Sequence, residues 1–172
     1  MDMDMNTANL DIQAPRTGCS AEVEHVLRAL PEWFGVEAAT LGYIESAKTK
    51  KTILATVDDA PVGVLMIERH FPESAEVYCI GVLREHHSSG IGRQMLEAAE
   101  AYLAADGVRI LQVKTVAPER ECPDYAQTRA FYAAVGFQQL EVFTKLWDPD
   151  TPCLLLVKAL SPRSSVQADR SG

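Results

Sequence analysis

No Cys-x-x-Cys pair and no cysteine–histidine spacing of the zinc-finger kind occurs in this chain. Its four cysteines, Cys19, Cys79, Cys122 and Cys153, are scattered. Cys79 and Cys153 lie inside apolar, strand-like runs, where a thiol usually serves as a small buried hydrophobe. This argues against a disulfide framework and a structural zinc site, and no metal is expected. No apolar run approaches the ~20 residues that span a bilayer as helix. Basic charge is also in short supply. The formal net charge is −8, whereas general nucleic-acid binding needs clustered Lys and Arg against phosphate. A cationic small molecule or a basic peptide suits this field better than nucleic acid. The stretch Met1 to Gln13 is acidic and polar, the opposite of a secretory leader with its basic and then apolar regions. The expectation is a cytoplasmic protein with neither nucleic acid nor membrane as partner.

At 172 residues the chain suits one domain with a sizeable core. Residues 1–15 lack periodicity and read as a flexible arm or an edge strand. Residues 16–160 carry the pattern of a folded domain, and 161–172 have the composition of a disordered tail. From Ser20, a plausible N-cap, Val23, Val26, Leu27 and Leu30 share one helical face until Pro31. A second short helix follows Gly35. Two β-branched runs flanking Asp58–Pro61 predict a hairpin. A third strand, Ala75 to Leu83, leads into a helix on which Ile91, Met95, Ala99 and Tyr102 recur at helical spacing, closed by Gly107. A strand over 108–116, a short helix ended by Gly136, and two more strands complete a mixed α/β (α+β) pattern.

The segment between the third strand and its helix, His86-His87-Ser88-Ser89-Gly90-Ile91-Gly92-Arg93, has a definite physical use. First-turn amides of a helix lack intrahelical partners and sit at the positive end of the helix dipole, so they attract an anion. Glycine removes the Cβ that would hold a phosphate away from the backbone. No Gly-Lys-Ser/Thr follows, so this is not a Walker loop. The third glycine of a dinucleotide fingerprint is missing as well. Plain turn chemistry is the competing reading of the glycine pair. The adjacent histidines are not a metal pair, because neighbouring side chains in a turning segment point apart and no further ligand is tied to them by spacing.

Farther on, Tyr132, Gly136 and Phe137 form a Tyr-x-x-x-Gly-Phe helix end. Two motifs in this order, separated by helix, strand and loop, resemble the GNAT superfamily of acyl-CoA-dependent N-acetyltransferases, whose first signature is Arg/Gln-x-x-Gly-x-Gly/Ala. The resemblance spans roughly Ser20 to Leu160. It implies a mixed, mostly antiparallel central sheet of about six to seven strands flanked by about four helices, splayed between the strands around 76–83 and 108–116. It also implies acetyl-CoA as acyl donor, with the pyrophosphate on the amides of Ser88, Ser89, Gly90, Ile91, Gly92 and Arg93 and with His87 bracing that loop. The pantetheine arm would then meet the backbone of Ile80, Gly81, Val82 and Leu83. Two positions depart from the family pattern. His87 replaces the usual Arg or Gln, and Tyr125 stands about where an Asn is common.

By the same resemblance Tyr132 is the candidate acid for the leaving thiolate, since an ordinary phenol pKa of about 10 exceeds a thiol's at about 8.5. A core tyrosine is its bland alternative. Glu76 opens the third strand where some family members place a carboxylate base, and a partly buried glutamate with a raised pKa would serve. Strand alternation puts Tyr78, Ile80 and Val82 on its side unless a bulge intervenes. The acceptor pocket is expected near the loop between the first two helices, nominating Trp33, Phe34, Tyr43 and Tyr78, with Trp147 beside them. Aromatics there would hold a cation. The resulting expectation is an N-acetyltransferase acting on a primary amine of a small molecule or peptide by direct attack on the thioester. The alternatives are a non-catalytic acyl-CoA sensor and another nucleotide-binding enzyme. A homodimer is the base-rate expectation.

Overall fold

Asp58 and Asp59 both take left-handed φ values, 49° and 67°, in the computed structural model, which describes residues 8–162. Such a two-residue turn matches the right-handed twist of the strands it joins. It sets the register of the hairpin formed by β2 (Lys51–Val57) and β3 (Ala60–Phe71). The remaining strands are β1 (Leu10–Ile12), β4 (Ser74–Val82), β5 (Ile110–Val116), β6 (Gln138–Phe143) and β7 (Cys153–Ala159). They form one seven-stranded sheet in the order β1-β2-β3-β4-β5-β7-β6. Every pairing is antiparallel except that of β4 with β5. A parallel pair requires a long crossover, and the helix between these two strands supplies it.

Four helices cover the sheet: α1 (Ser20–Arg28), α2 (Glu37–Ser46), α3 (Ile91–Ala105) and α4 (Pro123–Ala134). Val23, Val26 and Leu27 of α1 and Met95, Leu96, Ala99 and Leu103 of α3 are fully buried against the strands. Several local expectations differ from what is found. Ser20 does not cap α1. Cys19 holds that position, and the Ser20 hydroxyl instead donates to the Ile44 carbonyl at 2.8 Å, tying α1 to α2. Tyr102 is off the core face of α3, which Leu103 completes. Helix α4 starts at Pro123 rather than near Tyr125, because a proline at the first helical position loses no hydrogen bond. Residues 10–12 form an edge strand, one of the two readings given for the N-terminal stretch. Residues 1–7 and most of the expected C-terminal tail lie outside the described residues.

The feature that creates a site is the divergence of β4 from β5. They pair from Ser74–Ile110 to Val77–Val113 and no farther. Beyond that point β4 follows β3 to Val82 while β5 follows β7 to Val116. The strand edges that face each other across this wedge are left without ladder partners.

Candidate active site

Which backbone groups face the wedge follows from the antiparallel register. The Leu83 amide donates to the Val62 carbonyl at 2.8 Å, and Val64 pairs with Gly81 two residues along. Hydrogen-bonding pairs alternate along such a ladder, so Gly81 and Leu83 direct their groups to β3. Ile80 and Val82 direct theirs into the wedge. Leu83 therefore leaves the expected donor-binding set: its amide is used by Val62 and its carbonyl by the His86 amide at 2.9 Å. Gly81 has a different reason to be glycine. A Cβ there would stand 3.2 Å from Leu30 Cδ1 and 3.4 Å from Leu27 Cδ2, so the residue lets α1 pack closely on β4.

After a single 3₁₀ turn at Arg84–His86, the chain passes through Ser88 (φ 62°) and Gly90 (φ 84°) before opening α3. Ser88 in left-handed geometry is strained for a residue with a Cβ. The Ser89 hydroxyl donates to the His86 carbonyl and braces the turn. The first intrahelical acceptor is the Gly90 carbonyl, taken by Gln94. The amides just before Gln94 thus lack helical partners, at the positive end of a 15-residue helix. Nothing approaches the absent Cβ of Gly90 more closely than Gln94 Nε2 at 3.9 Å. Donor set, dipole and open approach fit a pyrophosphate. Gly92 has a packing role as well, since a Cβ there would lie 3.3 Å from Phe131 of α4.

His87 braces the turn through its own strand end rather than through an anion. Its ring turns back to the strand, and Nε2 lies 2.7 Å from the Val82 carbonyl oxygen, a bond in which the ring N–H donates. The ring also meets Trp33 edge-on at 5.6 Å. Trp33 belongs to the α1–α2 loop, and its indole N–H donates to Thr128 Oγ1 at 3.1 Å. The Arg84 guanidinium sits over the indole ring at 5.2 Å. Tyr125, half-buried on α4, donates its hydroxyl to the Trp33 carbonyl at 3.1 Å. Burial, chiefly, pushes that phenol's pKa upward. Trp33 and Tyr125 thus fasten the α1–α2 loop to α4 beside the strand end. Trp33 does not line the acceptor-side cavity described below.

Tyr132 is the buried residue of the last turn of α4. Gly136, at φ 98°, stops the helix in left-handed geometry, and the Phe137 amide returns to the Tyr132 carbonyl at 3.0 Å. The motif is therefore a helix stop that folds Phe137 onto the Tyr132 ring, 5.4 Å between centroids, with Phe131 on its other flank. Tyr132 is 3% exposed. Burial, with the nearby Cys79 and Tyr43 adding to it, pushes its phenol well above the ordinary value, so it carries its proton at neutral pH. Burial also pushes the Cys79 thiol far up. A thiol held protonated is a poor nucleophile, which disfavours Cys79 as a covalent acyl carrier.

Residues of α2, β3, β4 and β5 line a cavity of about 550 Å³, among them Tyr43, Tyr78, Glu76, Glu68, His70 and Lys114, with Lys50 and Trp147 beside them. Tyr43 stacks edge-on against Tyr78 at 5.3 Å and Phe34 at 5.9 Å. Phe34 backs the wall without lining it. Burial, chiefly, pushes the Tyr43 phenol well above the ordinary value. The structure thus brings Glu76, Tyr43 and Tyr78 together with Trp147, and leaves Trp33 and Phe34 outside.

Glu76 is nearly buried and holds a network. His70 Nε2 lies 2.6 Å from Oε2, Lys114 Nζ lies 3.0 and 3.1 Å from the two oxygens, and Gln112 donates at 3.2 Å. Burial alone would raise its pKa, but the bonds from His70, Lys114 and Gln112 outweigh it and hold the carboxyl below the ordinary value. The expectation of a raised pKa at Glu76 is corrected accordingly. The shared face with Ile80 and Val82 is also corrected. The register slips where Met66 pairs with Cys79 and Ile67 with Val77, leaving Tyr78 as an extra, bulged residue. Glu76 consequently shares its face with Cys79 and Gly81. His70, Glu68, Lys50 and Lys114 went unnoticed in the sequence. Their convergence depends on this register and on the β4–β5 pairing, neither of which is a local pattern.

Comparison with known proteins agrees with this geometry. The fold superimposes on a GNAT-family acetyltransferase from Desulfovibrio desulfuricans with a TM-score of 0.76, at 18% identity over 89% of this chain and 100% of that one. The Escherichia coli ribosomal-protein-S18-alanine N-acetyltransferase gives 0.71 at 15% identity, covering 89% and 95%. A GNAT-family acetyltransferase from Elizabethkingia anophelis, solved with acetyl-CoA bound, gives 0.67 at 19% identity, covering 88% and 99%. At these identities the likeness is one of fold. The model of the acetyltransferase (GNAT) domain matches residues 48–139, a span holding the wedge, the glycine loop and Tyr132. With more than half its length matched by that model, the chain belongs to the GNAT acetyltransferase family and is an acyltransferase.

Proposed function

We propose that this acetyltransferase moves an acetyl group from acetyl-CoA to a primary amine of a small molecule or peptide, by direct attack on the thioester. One observation carries the reading. The backbone groups of Ile80 and the amide of Val82 face the wedge where β4 leaves β5, on the strand that runs directly into the glycine loop. The amides of Ser88 to Arg93 would hold the pyrophosphate. The Ile80 groups and the Val82 amide would hold the extended pantetheine arm as a short added strand. A backbone N–H directed at the thioester carbonyl stabilises the charge that develops on its oxygen. A buried, protonated Tyr132 would supply the proton to the departing thiolate and recover it afterwards.

The acceptor would enter from the side of the cavity. Tyr43, Tyr78 and Trp147 offer aromatic faces there, which suit an amine carried on an apolar or aromatic stem. The two carboxylates of the cavity are each paired with a lysine, Glu68 with Lys50 and Glu76 with Lys114. The net acidity of the chain is therefore not concentrated at the acceptor site, and a single amine suits it better than a polycation. The E. coli protein is named as an N-acetyltransferase of ribosomal-protein-S18 alanine; a peptide amine belongs in the same test as small amines. The experiment is thiol release from acetyl-CoA with tyramine, spermidine, kanamycin and an alanine-initiated peptide. Release with at least one of them supports the reading. Tight acetyl-CoA binding with no release from any would overturn it in favour of a sensor.

A further inference from the structure

We infer that His70, oriented by Glu76, takes the proton from the acceptor amine, so that the base of this enzyme is an imidazole–carboxylate pair; this rests on the transferase reading above. Two bulges carry the argument. On β4 the extra residue is Tyr78, and on β3 the register between Arg69 and Phe71 leaves His70 as the extra one. A bulge re-aims a side chain that regular alternation would place elsewhere. Both re-aimed side chains line the same cavity, one as an aromatic wall and the other as an imidazole.

The pair has unequal access. The Glu76 side chain is 8% exposed and that of His70 is 37% exposed, so the imidazole is what an incoming amine meets. A carboxylate only accepts, so His70 Nε2 is the nitrogen that carries the proton in the 2.6 Å bond to Glu76. In the neutral ring that leaves Nδ1 with the lone pair. The remaining acceptor capacity of Glu76 is used by Lys114 and Gln112. A carboxylate held this firmly in its ionised form is a weak proton acceptor and a good partner for an imidazolium. The other charged groups facing the cavity, Lys50 and Glu68, are paired with each other, with Lys50 over the Tyr78 ring at 4.8 Å.

In the step, the ammonium of the acceptor gives one proton to His70 Nδ1. The freed lone pair attacks the thioester carbon. The C–N bond forms, the C–S bond breaks, and the thiolate takes the Tyr132 proton. The second proton lost by the new amide nitrogen returns to Tyr132, and His70 releases its own to solvent.

The test compares wild type with His70→Gln, a side chain that still donates to Glu76 but takes up no proton, using acetyl-CoA and the amine panel above. Hydroxylamine serves as a second acceptor because it is already neutral at neutral pH and needs no base before attack. Expected for His70→Gln is a loss of about 100-fold in kcat/KM with the amines, an unchanged rate with hydroxylamine, and unchanged calorimetric acetyl-CoA binding. His70→Asn, equally unable to take the proton, must show the same split. Glu76→Gln should lose about tenfold with amines, within the range of a charge-assisted bond, and Glu76→Asp should recover part of it. Wild-type turnover of amines by His70→Gln, or equal losses with amines and hydroxylamine, would overturn the inference and leave the transferase reading standing. A wild-type protein that releases no CoA with any acceptor overturns both.

Discussion

The imidazole of His87 is bonded to the carbonyl of Val82, five residues back, at 2.7 Å. The residue at the first position of the glycine motif thereby closes the strand-to-helix turn on itself, and the Trp33 indole packs against its edge. In the proposed donor site its contribution is structural: the bond holds the strand end to the start of the loop. Replacing His87 by Ala removes one hydrogen bond worth about 1 kcal/mol. The expected result is acetyl-CoA binding weakened about fivefold, measured by calorimetry. The dependence of affinity on salt should not change, because no charge on phosphate is lost. A flattened salt dependence would show that the ring contacts the anion directly.

Gly90 is glycine because of its φ of 84°, and its absent Cβ has open space around it. Strain and clash therefore separate cleanly at this position. Gly90→Ala should cost about 1 kcal/mol of stability, while Gly90→Asn, which tolerates left-handed geometry better, should cost less. Thermal melts of the two variants decide this. At Gly92 the order reverses in cause: φ is unexceptional, and an added Cβ meets Phe131. Equal losses for Ala and Asn at Gly90 would mean that the backbone there can relax.

Glu76 makes stability depend on acid in a definite direction. Its carboxyl is held below the ordinary value by its three polar partners against the opposing effect of burial. The unfolded chain therefore takes up the proton first as pH falls, starting near the ordinary glutamate value of about 4.3. The stabilisation is full above that range and is lost as pH drops through the lower folded value. Glu76→Gln has no such proton to bind. The stability advantage of wild type over Glu76→Gln should shrink as pH falls below about 4, as read from urea unfolding. An advantage that grew on acidification within that acid range would place the Glu76 pKa above the ordinary value.

What the sequence displays and what it hides divide along the range of the interactions involved. The glycine loop, the Asp58–Asp59 turn and the Gly136 helix stop are legible because each is set by φ preferences within a few residues. The core faces of α1 and α3 are legible through helical period, except that Tyr102 is polar at its tip and yields its place to Leu103. The bulges at Tyr78 and His70 are not legible. Each is defined only by which residue of the partner strand it faces, and the pairing of β3 with β4 leaves no mark within a few residues of either position. The insertion of β7 between β5 and β6 is likewise a matter of sheet order. Hence the donor side of the site can be read in the chain, while the cavity around Glu76 depends on register and topology.

Tyr132 supplies the sharpest test of the donor side. Its ring is wedged between Phe131 and Phe137, so Tyr132→Phe preserves the packing and removes one oxygen. A core tyrosine in that position would show a small stability change and full activity. A proton donor to the thiolate would show a fall of about 100-fold in kcat, with acetyl-CoA binding and thermal stability close to wild type. The two outcomes are further separated by the donor thiol. A thioester with a more acidic leaving group needs less help from an acid, so Tyr132→Phe should lose far less rate with an activated aryl thioester than with acetyl-CoA. Equal losses with both donors would remove Tyr132 from the proton transfer and leave it as part of the helix stop.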